Sequence, residues 1–449
     1  MSLSINLLAR SPSSVQFSNN ATIQERIDSA KYITAMKPKK FNLNHHDLET
    51  IVKRYYQNPK LHFRIQSSEV SHFSTNRVGY LGDHFFLKLK VILEDEENRE
   101  DVMNLFFKVL PTAIPALTSY LEASGTSRKE TRLYGDLFAR MAQFTRFAPK
   151  AYLTKDDRLL VLENLALEGY RSVAGADMGI FDKAHLEQAL KALARFHCAS
   201  RMLETKTGRT LPELCPGALD ENCWVLKDNN PRVEELENAI QVLCELVKVV
   251  EKGNPKLPEI LNKLPQFILQ IYDLVKPSDK YRNVSSHGDL WGSNLLFKYS
   301  KASIPEDCLI VDFQFARYAP PAYDVNMLIT LTTTGEFRKL HYNQLIDFYY
   351  GTVKQIFIAS CLSPEEIFPE RPFRESCERY KVSGVIDNFL MNHVTLLPRN
   401  CVDRIFSSPE EYNNFSGEDK IRMCLGVLDT DSKYRSRITG IIRDLIEML

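Results

Sequence analysis

The sequence predicts an α+β protein of two lobes, a β-rich N-terminal lobe followed by a larger helical one. Three observations carry this. Short apolar strands bounded by turn residues gather before about residue 165, apolar residues recur at helical spacing from Phe181 onward, and 449 residues exceed the ~100–200 of one domain. The expected division is a flexible extension over 1–44, an N-lobe over 45–164 and a helical C-lobe over 165–449.

The elements follow in order. Residues 1–44 are polar and aperiodic and end in the charge run Lys37-Pro38-Lys39-Lys40. Arg10, several serines and the lack of acid in the first 24 residues weakly resemble a mitochondrial presequence; a solvated tail is the preferred reading. Leu48, Ile51, Val52 and Tyr55 predict a helix near His46 to Tyr56. Phe85 to Leu93 and Leu105 to Leu110 read as a β-hairpin across the acidic turn Glu94-Asp95-Glu96-Glu97, and Pro111 stops the second strand. Ser127 to Met141 reads as a helix, and Tyr152-Leu153 and Leu159 to Leu162 as two short strands, with a hinge near Glu163 to Leu165. Asp182 caps a helix carrying Leu186, Leu190, Leu193 and His197, and further helices cover Val233 to Val250 and Gln344 to Ile358.

Composition removes several function classes. Hydrophobic residues at 44% and aromatics at 10% supply a large core and argue against global disorder. Lys plus Arg and Asp plus Glu each number 57, so the zero net charge gives no general attraction to nucleic acid or anionic membrane. The nine cysteines form no C-x-x-C pair and their number is odd, which argues against a disulfide scaffold or zinc module. No run approaches the ~18–20 apolar residues of a membrane span. A cytoplasmic protein is expected.

Chemistry concentrates in Ser285-Ser286-His287-Gly288-Asp289-Leu290-Trp291-Gly292-Ser293-Asn294, just before an apolar strand; a second strand runs into Asp312-Phe313-Gln314. Two short strands with polar ends can converge on one point. Phosphoryl transfer needs such a point: one carboxylate (Asp289) orients the attacking hydroxyl, while an amide oxygen (Asn294) and a second carboxylate (Asp312) hold Mg2+ against the phosphates. Asp289 precedes Asn294 by five positions, the spacing of a kinase catalytic loop. His-Gly-Asp alone is equally a turn in which Asp caps amides; the joint pattern is what points to catalysis.

Upstream, Lys108 lies inside an apolar strand, where a buried ammonium requires a partner, and Glu130 in the following helix is the candidate. The pair would position ATP phosphates; an edge-strand lysine facing water and a solvated helix glutamate are the alternatives. Gly79-Tyr80-Leu81-Gly82-Asp83 is a partial phosphate loop, and no P-loop motif is present.

Together, Lys108, Glu130, His287-Gly288-Asp289 to Asn294 and Asp312-Phe313-Gln314 resemble the ecdysteroid-kinase-like family, which is related to choline and aminoglycoside kinases. Further matches are Glu130 to Tyr134, Leu162-Glu163-Asn164-Leu165, Leu193 to His197, Pro321 to Val325 and Tyr349-Tyr350, so the likeness spans about residues 45 to 400. The resemblance implies a two-lobed protein-kinase-like fold and ATP- and Mg2+-dependent phosphorylation of a small-molecule alcohol, with ecdysteroids as the known class. It implies Asp289 as base, Asn294 and Asp312 as metal ligands, and Lys108 braced by Glu130 as phosphate contact. It also implies adenine binding by the backbone of the hinge at Glu163 and Leu165, and His287 and Asp324 as braces of the catalytic loop.

Asn164 stands where relatives commonly carry Asp, and residues 1–44 and those after about 400 match poorly. His197, on an apolar helix face, reads as a hydrogen-bonded core residue. Trp291 could stack on a substrate ring or pack beneath the loop. Only eleven residues separate Asp312 from Asp324, too few for a peptide-docking activation segment, which disfavours a protein kinase. A weak or inactive kinase-like binding protein and a choline- or aminoglycoside-type kinase remain the alternatives. The sequence does not select the acceptor or the oligomeric state.

Overall fold

The computed structural model describes residues 43–74, 81–94, 98–173, 177–415 and 417–449. The expected tail, most of the acidic turn and Gly79-Tyr80 lie outside the described residues.

The N-terminal lobe is a five-stranded antiparallel sheet in the order β1-β2-β3-β5-β4. Helix α1 (His45–Tyr55) opens it. Its reciprocal Asn44–Asp47 capping box fixes the first turn, and Ile51 and Val52 are fully buried against the sheet. Strand β1 (Phe63–His72) was not apparent in the sequence, because its few apolar residues, Phe63, Ile65 and Val70, lose their two-residue period at the register shift between Ile65 and Ser67. Strands β2 (Asp83–Leu93) and β3 (Glu100–Val109) form the expected hairpin, with His84 opposite Lys108. The two-residue period decides the site: Met103, Leu105 and Phe107 fill the core face, so Phe106 and Lys108 point to the other.

The helical segment after the hairpin is broken twice. Helix α2 (Pro115–Ser124) ends at Gly125, whose φ of +66° turns the chain into α3 (Thr126–Arg132). A π-helical turn at Leu133–Leu137 then separates α3 from α4 (Phe138–Met141). The continuous helix expected from Ser127 to Met141 is therefore irregular in its middle. Strands β4 (Ala151–Lys155) and β5 (Leu159–Leu162) complete the sheet.

The rest of the chain is mainly helical. Helix α5 (Lys183–Thr207), capped by Asp182 through the His185 N–H, runs through the main core with Leu186, Leu190, Leu193 and Phe196 fully buried. Helix α6 (Pro231–Val250) follows. A small sheet joins β6 (Tyr170–Arg171) to β8 (Leu295–Tyr299) and β9 (Pro305–Ile310), and a two-stranded ribbon joins β7 (Val284–Ser286) to β10 (Arg317–Ala319). Helices α7 (Pro321–Thr332), α8 (Gly335–Ala359) and α9 (Glu370–Thr395) stack behind them. The terminal helices are α10 (Arg399–Ile405), α11 (Pro409–Asn414), α12 (Gly417–Thr430) and α13 (Ser432–Ile446). The architecture is the α+β arrangement expected, a sheet-based N-terminal region and a helical C-terminal one. All nine cysteines are free, and no helix among the described residues is long and apolar enough to cross a membrane.

Candidate active site

Lys108 reaches from β3 across the cleft between the lobes. Its Nζ donates to Glu130 Oε2 at 2.6 Å and to Asp312 Oδ1 at 2.9 Å. Burial by itself would lower the ammonium's pKa, but the Asp312 and Glu130 carboxylates outweigh it and hold the group protonated, above its ordinary range. Glu130 is itself fixed from the other side, where its Oε1 accepts the Phe313 N–H at 3.2 Å. One buried carboxylate thus ties the N-terminal sheet to the segment bearing Asp312.

Asp312 sits in a left-handed backbone conformation, φ +68°, which costs a non-glycine residue of order 1 kcal/mol or more. Its neighbour Phe313 holds it there. The ring is fully buried among Tyr134, Phe138, Phe147, Phe196 and His287, with centroid separations from 4.6 to 6.2 Å. Burial of such a ring contributes ~2–3 kcal/mol, enough to offset the backbone strain.

The loop between β7 and β8 carries Asp289 and Asn294. Asn294 Nδ2 donates to the Asp289 carbonyl at 2.8 Å and to its Oδ2 at 3.1 Å, and the Asn294 carbonyl accepts the Val311 N–H at 3.0 Å. The Asp289–Asn294 turn and the Asp312 strand end are therefore locked together. Gly288, with φ +74°, is required at the turn: a Cβ there would lie 2.5 Å from the Phe315 carbonyl oxygen.

Asp324, at the start of α7, accepts the His287 N–H at 2.5 Å and the Gly288 N–H at 3.0 Å. Burial would raise its pKa, yet the hydrogen bond from His197 and the charges around it keep the carboxyl below its usual range. His287 Nδ1 accepts the Asp289 N–H at 3.2 Å and Nε2 faces the Val311 carbonyl at 3.0 Å, an arrangement that requires Nε2–H. Burial keeps this imidazole neutral, with a lowered pKa that Asp324 only partly opposes.

The hinge behaves differently. The Glu163 carboxylate is taken by Arg146 Nη2 at 2.9 Å and the Lys150 N–H at 3.1 Å, and Asn164 Oδ1 caps the following 3-10 turn through Ala166 N–H. With these side chains engaged, what the hinge presents is backbone. Lys108, Glu130, Glu163, Leu165 and Asp312 all line one cleft, walled by Phe73, Phe106, Leu162 and Leu296. Asp289 and Asn294 do not line this cleft; they lie behind it, joined through Val311, which does.

Mg2+ demands hard oxygen ligands and keeps several of its own from water and phosphate. Asn294 Oδ1 is buried without a hydrogen-bond partner, an oxygen left for a ligand. No three His, Cys, Asp or Glu side chains among the described residues form a ready-made cage, which suits an ion completed by phosphate oxygens. The residues present fit the ion.

Sequence reasoning missed several residues that set this geometry. His197 was expected in the core and is there, fully buried, but its Nε2 bonds Asp324 Oδ2 at 3.1 Å while Nδ1 takes the Tyr349 hydroxyl at 2.7 Å, so it braces the loop's own brace. Lys129 Nζ caps the Ala316 carbonyl at 2.6 Å, and Asn222 bridges the Ser124 and Gln314 carbonyls. Arg317, ion-paired to Glu221 at 2.8 Å, lies against Gly288. The only sequence signal was charge in otherwise apolar surroundings. Trp291 is nine-tenths buried, which favours packing beneath the loop.

The sequence matches the ecdysteroid kinase-like family over residues 79–359, more than half of its length. The chain belongs to that family. No curated protein matches it. Solved structures similar to it include an ethanolamine kinase from Plasmodium vivax, 12% identical, with TM-score 0.35 and coverage of 94% of this chain and 99% of that one. Also similar are the choline kinase LicA from Streptococcus pneumoniae (12%, TM-score 0.39, covering 88% and 99%) and a spectinomycin phosphotransferase solved with ADP and spectinomycin (12%, TM-score 0.38, covering 87% and 94%).

Proposed function

We propose that this chain is an ATP- and Mg2+-dependent phosphotransferase acting on a hydroxyl of a lipophilic alcohol, an ecdysteroid or a related steroid or xenobiotic. The observation that carries the reading is the placement of Lys108 between Glu130 and Asp312 in a cleft that the hinge residues Glu163 and Leu165 also line. That is the cradle an adenine nucleotide requires, with cation at the phosphates and backbone amides at the base. The N-lobe over 45–164 supplies Lys108 and Glu130, and the C-lobe over 165–449 supplies Asp312 and the catalytic loop.

Lys108 contacts the phosphates and Glu130 holds it there. Asn294 and Asp312 would hold Mg2+, which neutralises charge developing on the phosphate oxygens. Asp289 accepts the acceptor's proton as its oxygen bonds to Pγ; the Pγ–O bond to the β-phosphate breaks, and ADP leaves with the electron pair. His287 and Asp324 hold the loop so that Asp289 keeps its orientation. With nine free cysteines, a reducing, cytoplasmic setting fits.

The test is incubation of the purified protein with Mg-ATP and a panel of ecdysteroids, phenols and amino alcohols, with products read by mass spectrometry. A hydroxylated lipophilic member should gain one phosphoryl group. Absence of any ATP-dependent product, together with absence of Mg-ATP binding by calorimetry, would remove the proposal.

A further inference from the structure

Lys420, on α12, is only 6% exposed, yet among the described residues its Nζ makes no hydrogen bond and no ion pair. The ammonium lies over the Phe415 ring, 5.3 Å from its centre. A ring face contributes ~0.5–2 kcal/mol, whereas taking an ammonium out of water costs several kcal/mol, so the ring does not offset the burial. Lys420 and Phe415 both line a second cavity, about 270 Å³, between α2, α6 and the terminal helices α10 to α12. We propose that this cavity binds a small amphiphilic carboxylate, its anionic head on Lys420 and its apolar body against the opposite walls.

The charges around Lys420 leave room for one anion. Glu235 lines the cavity but already pairs with Arg232 at 2.9 Å and accepts the Tyr120 hydroxyl. Burial would raise its pKa; Arg232, and Lys420 more weakly, hold the carboxyl ionised and below its usual range. On α9, burial first and then the Lys420 charge push His393 down to about 3, so that imidazole is neutral. Arg232 therefore cancels Glu235, and among the buried groups the Lys420 charge stands alone. Glu234, the other carboxylate on the cavity, is exposed to water. One unmatched cation beside two glutamates suits a monoanion. A phosphate monoester, at ~−1.5 to −2 near pH 7, would bring a second negative charge against those glutamates.

The remaining walls set the body of the ligand. Leu117, Val394 and Phe406 make them apolar. The volume falls just below the ~300–1,000 Å³ of drug-sized sites, which suits one ring or a medium-length acyl chain rather than a fused-ring skeleton. None of Lys108, Asp289, Asn294 and Asp312 lines the cavity. Buried Arg232 and Phe315, with 4.7 Å between guanidinium and ring centre, stand between it and the Gly288 turn, on which the Phe315 carbonyl presses. An occupant is therefore neither the nucleotide nor the acceptor, and the site stands apart from the phosphotransferase reading. Lys420 also lies beyond residue 359, outside the segment shared with the family.

The experiment is calorimetric titration of the full chain with octanoate, 1-octanol and octyl phosphate, three ligands that share one body and differ in the head. Octanoate is expected to bind once per chain, at least ~tenfold more tightly than either of the others. Lys420→Met should weaken octanoate by ~tenfold or more and bring it level with 1-octanol. Its Tm without ligand should be no lower than that of the unmodified protein, because the substitution removes an uncompensated buried charge and keeps the apolar stem. Ala116→Trp, which adds bulk from a half-buried position on the cavity, should weaken octanoate and 1-octanol alike. Unchanged octanoate binding in either variant overturns the assignment, as does a lowered Tm in Lys420→Met, which would mean that the ammonium has a partner within the fold. Octanoate that fails to bind, or binds no more tightly than 1-octanol or octyl phosphate, overturns it too. So does displacement of octanoate by Mg-ATP, which would put the anion at Lys108 instead.

Discussion

Lys108 and Asp312, 204 residues apart in the chain, are joined by a 2.9 Å ion pair between side chains that are each only about a tenth exposed. The contact spans the two lobes, and it puts the cleft's cation on the carboxylate proposed to bind metal. Nucleotide phosphates and Mg2+ would compete for both partners.

Lys108→Met leaves two carboxylates, Glu130 and Asp312, buried without their cation. Loss of ~3–5 kcal/mol of stability is expected in denaturant titrations, with phosphotransfer abolished. Adding Glu130→Gln should restore part of that stability without restoring activity, because the repulsion is relieved while the phosphate contact is still missing. A double variant no more stable than Lys108→Met would show that the two residues are not coupled.

Asp289→Asn keeps the shape of the turn, including the carbonyl that accepts from Asn294, but removes the proton acceptor. Turnover should fall by ~10²–10⁴-fold while the calorimetric Kd for Mg-ATP shifts by less than about threefold. Near-normal turnover would assign the base elsewhere.

Gly288→Ala puts a methyl 2.5 Å from the Phe315 carbonyl and 2.8 Å from the Arg317 guanidinium, at a φ of +74°. A cost of roughly 2–4 kcal/mol is expected from the clash and the conformation together, since neither the backbone carbonyl nor the buried arginine can yield freely. Thermal unfolding reads the stability, and activity should fall further than stability alone explains. An alanine variant with unchanged Tm would contradict the tight turn.

Asp387, on α9, is fully buried, accepting from the Tyr323 hydroxyl at 2.7 Å and the Trp224 indole at 3.3 Å. Burial pushes its pKa up from 3.8 to about 7. The folded chain therefore keeps a proton that the unfolded chain gives up above about pH 4. That contribution to stability is complete below the unfolded value and is lost as pH rises from about 4 to 7. Against Asp387→Asn, which cannot titrate, the unmodified protein should lose relative stability across this window by roughly 3 kcal/mol, and none beyond it. Urea titrations of both proteins at pH 5, 6, 7 and 8 give the difference directly. A constant difference would mean that Asp387 stays ionised.

Much of the site was legible because its parts are either contiguous or chemically out of place. Asp289 and Asn294 share one turn, Asp312 ends the following strand, and Lys108 stands out as an ammonium in an apolar run. Strand β1 and the π turn at Leu133–Leu137 were not legible, since the register shift between Ile65 and Ser67 interrupts the strand's apolar period and one extra residue in a helical turn leaves no trace in composition. Nor was the company that His197 keeps: helical spacing put it on a buried face, but nothing near it in sequence names Asp324 or Tyr349 as its partners.

The amino-acid order alone determined the sheet-then-helix arrangement, the family and the few polar residues proposed to bear chemistry, because periodicity and short motifs are local properties. Tertiary structure decided which of those residues share a cleft, that Glu163 offers backbone while Asn294 keeps a buried oxygen without a partner, and where a second cavity opens. These depend on pairings between segments a hundred or more residues apart, and such pairings are fixed by packing of the whole chain rather than by any stretch of it.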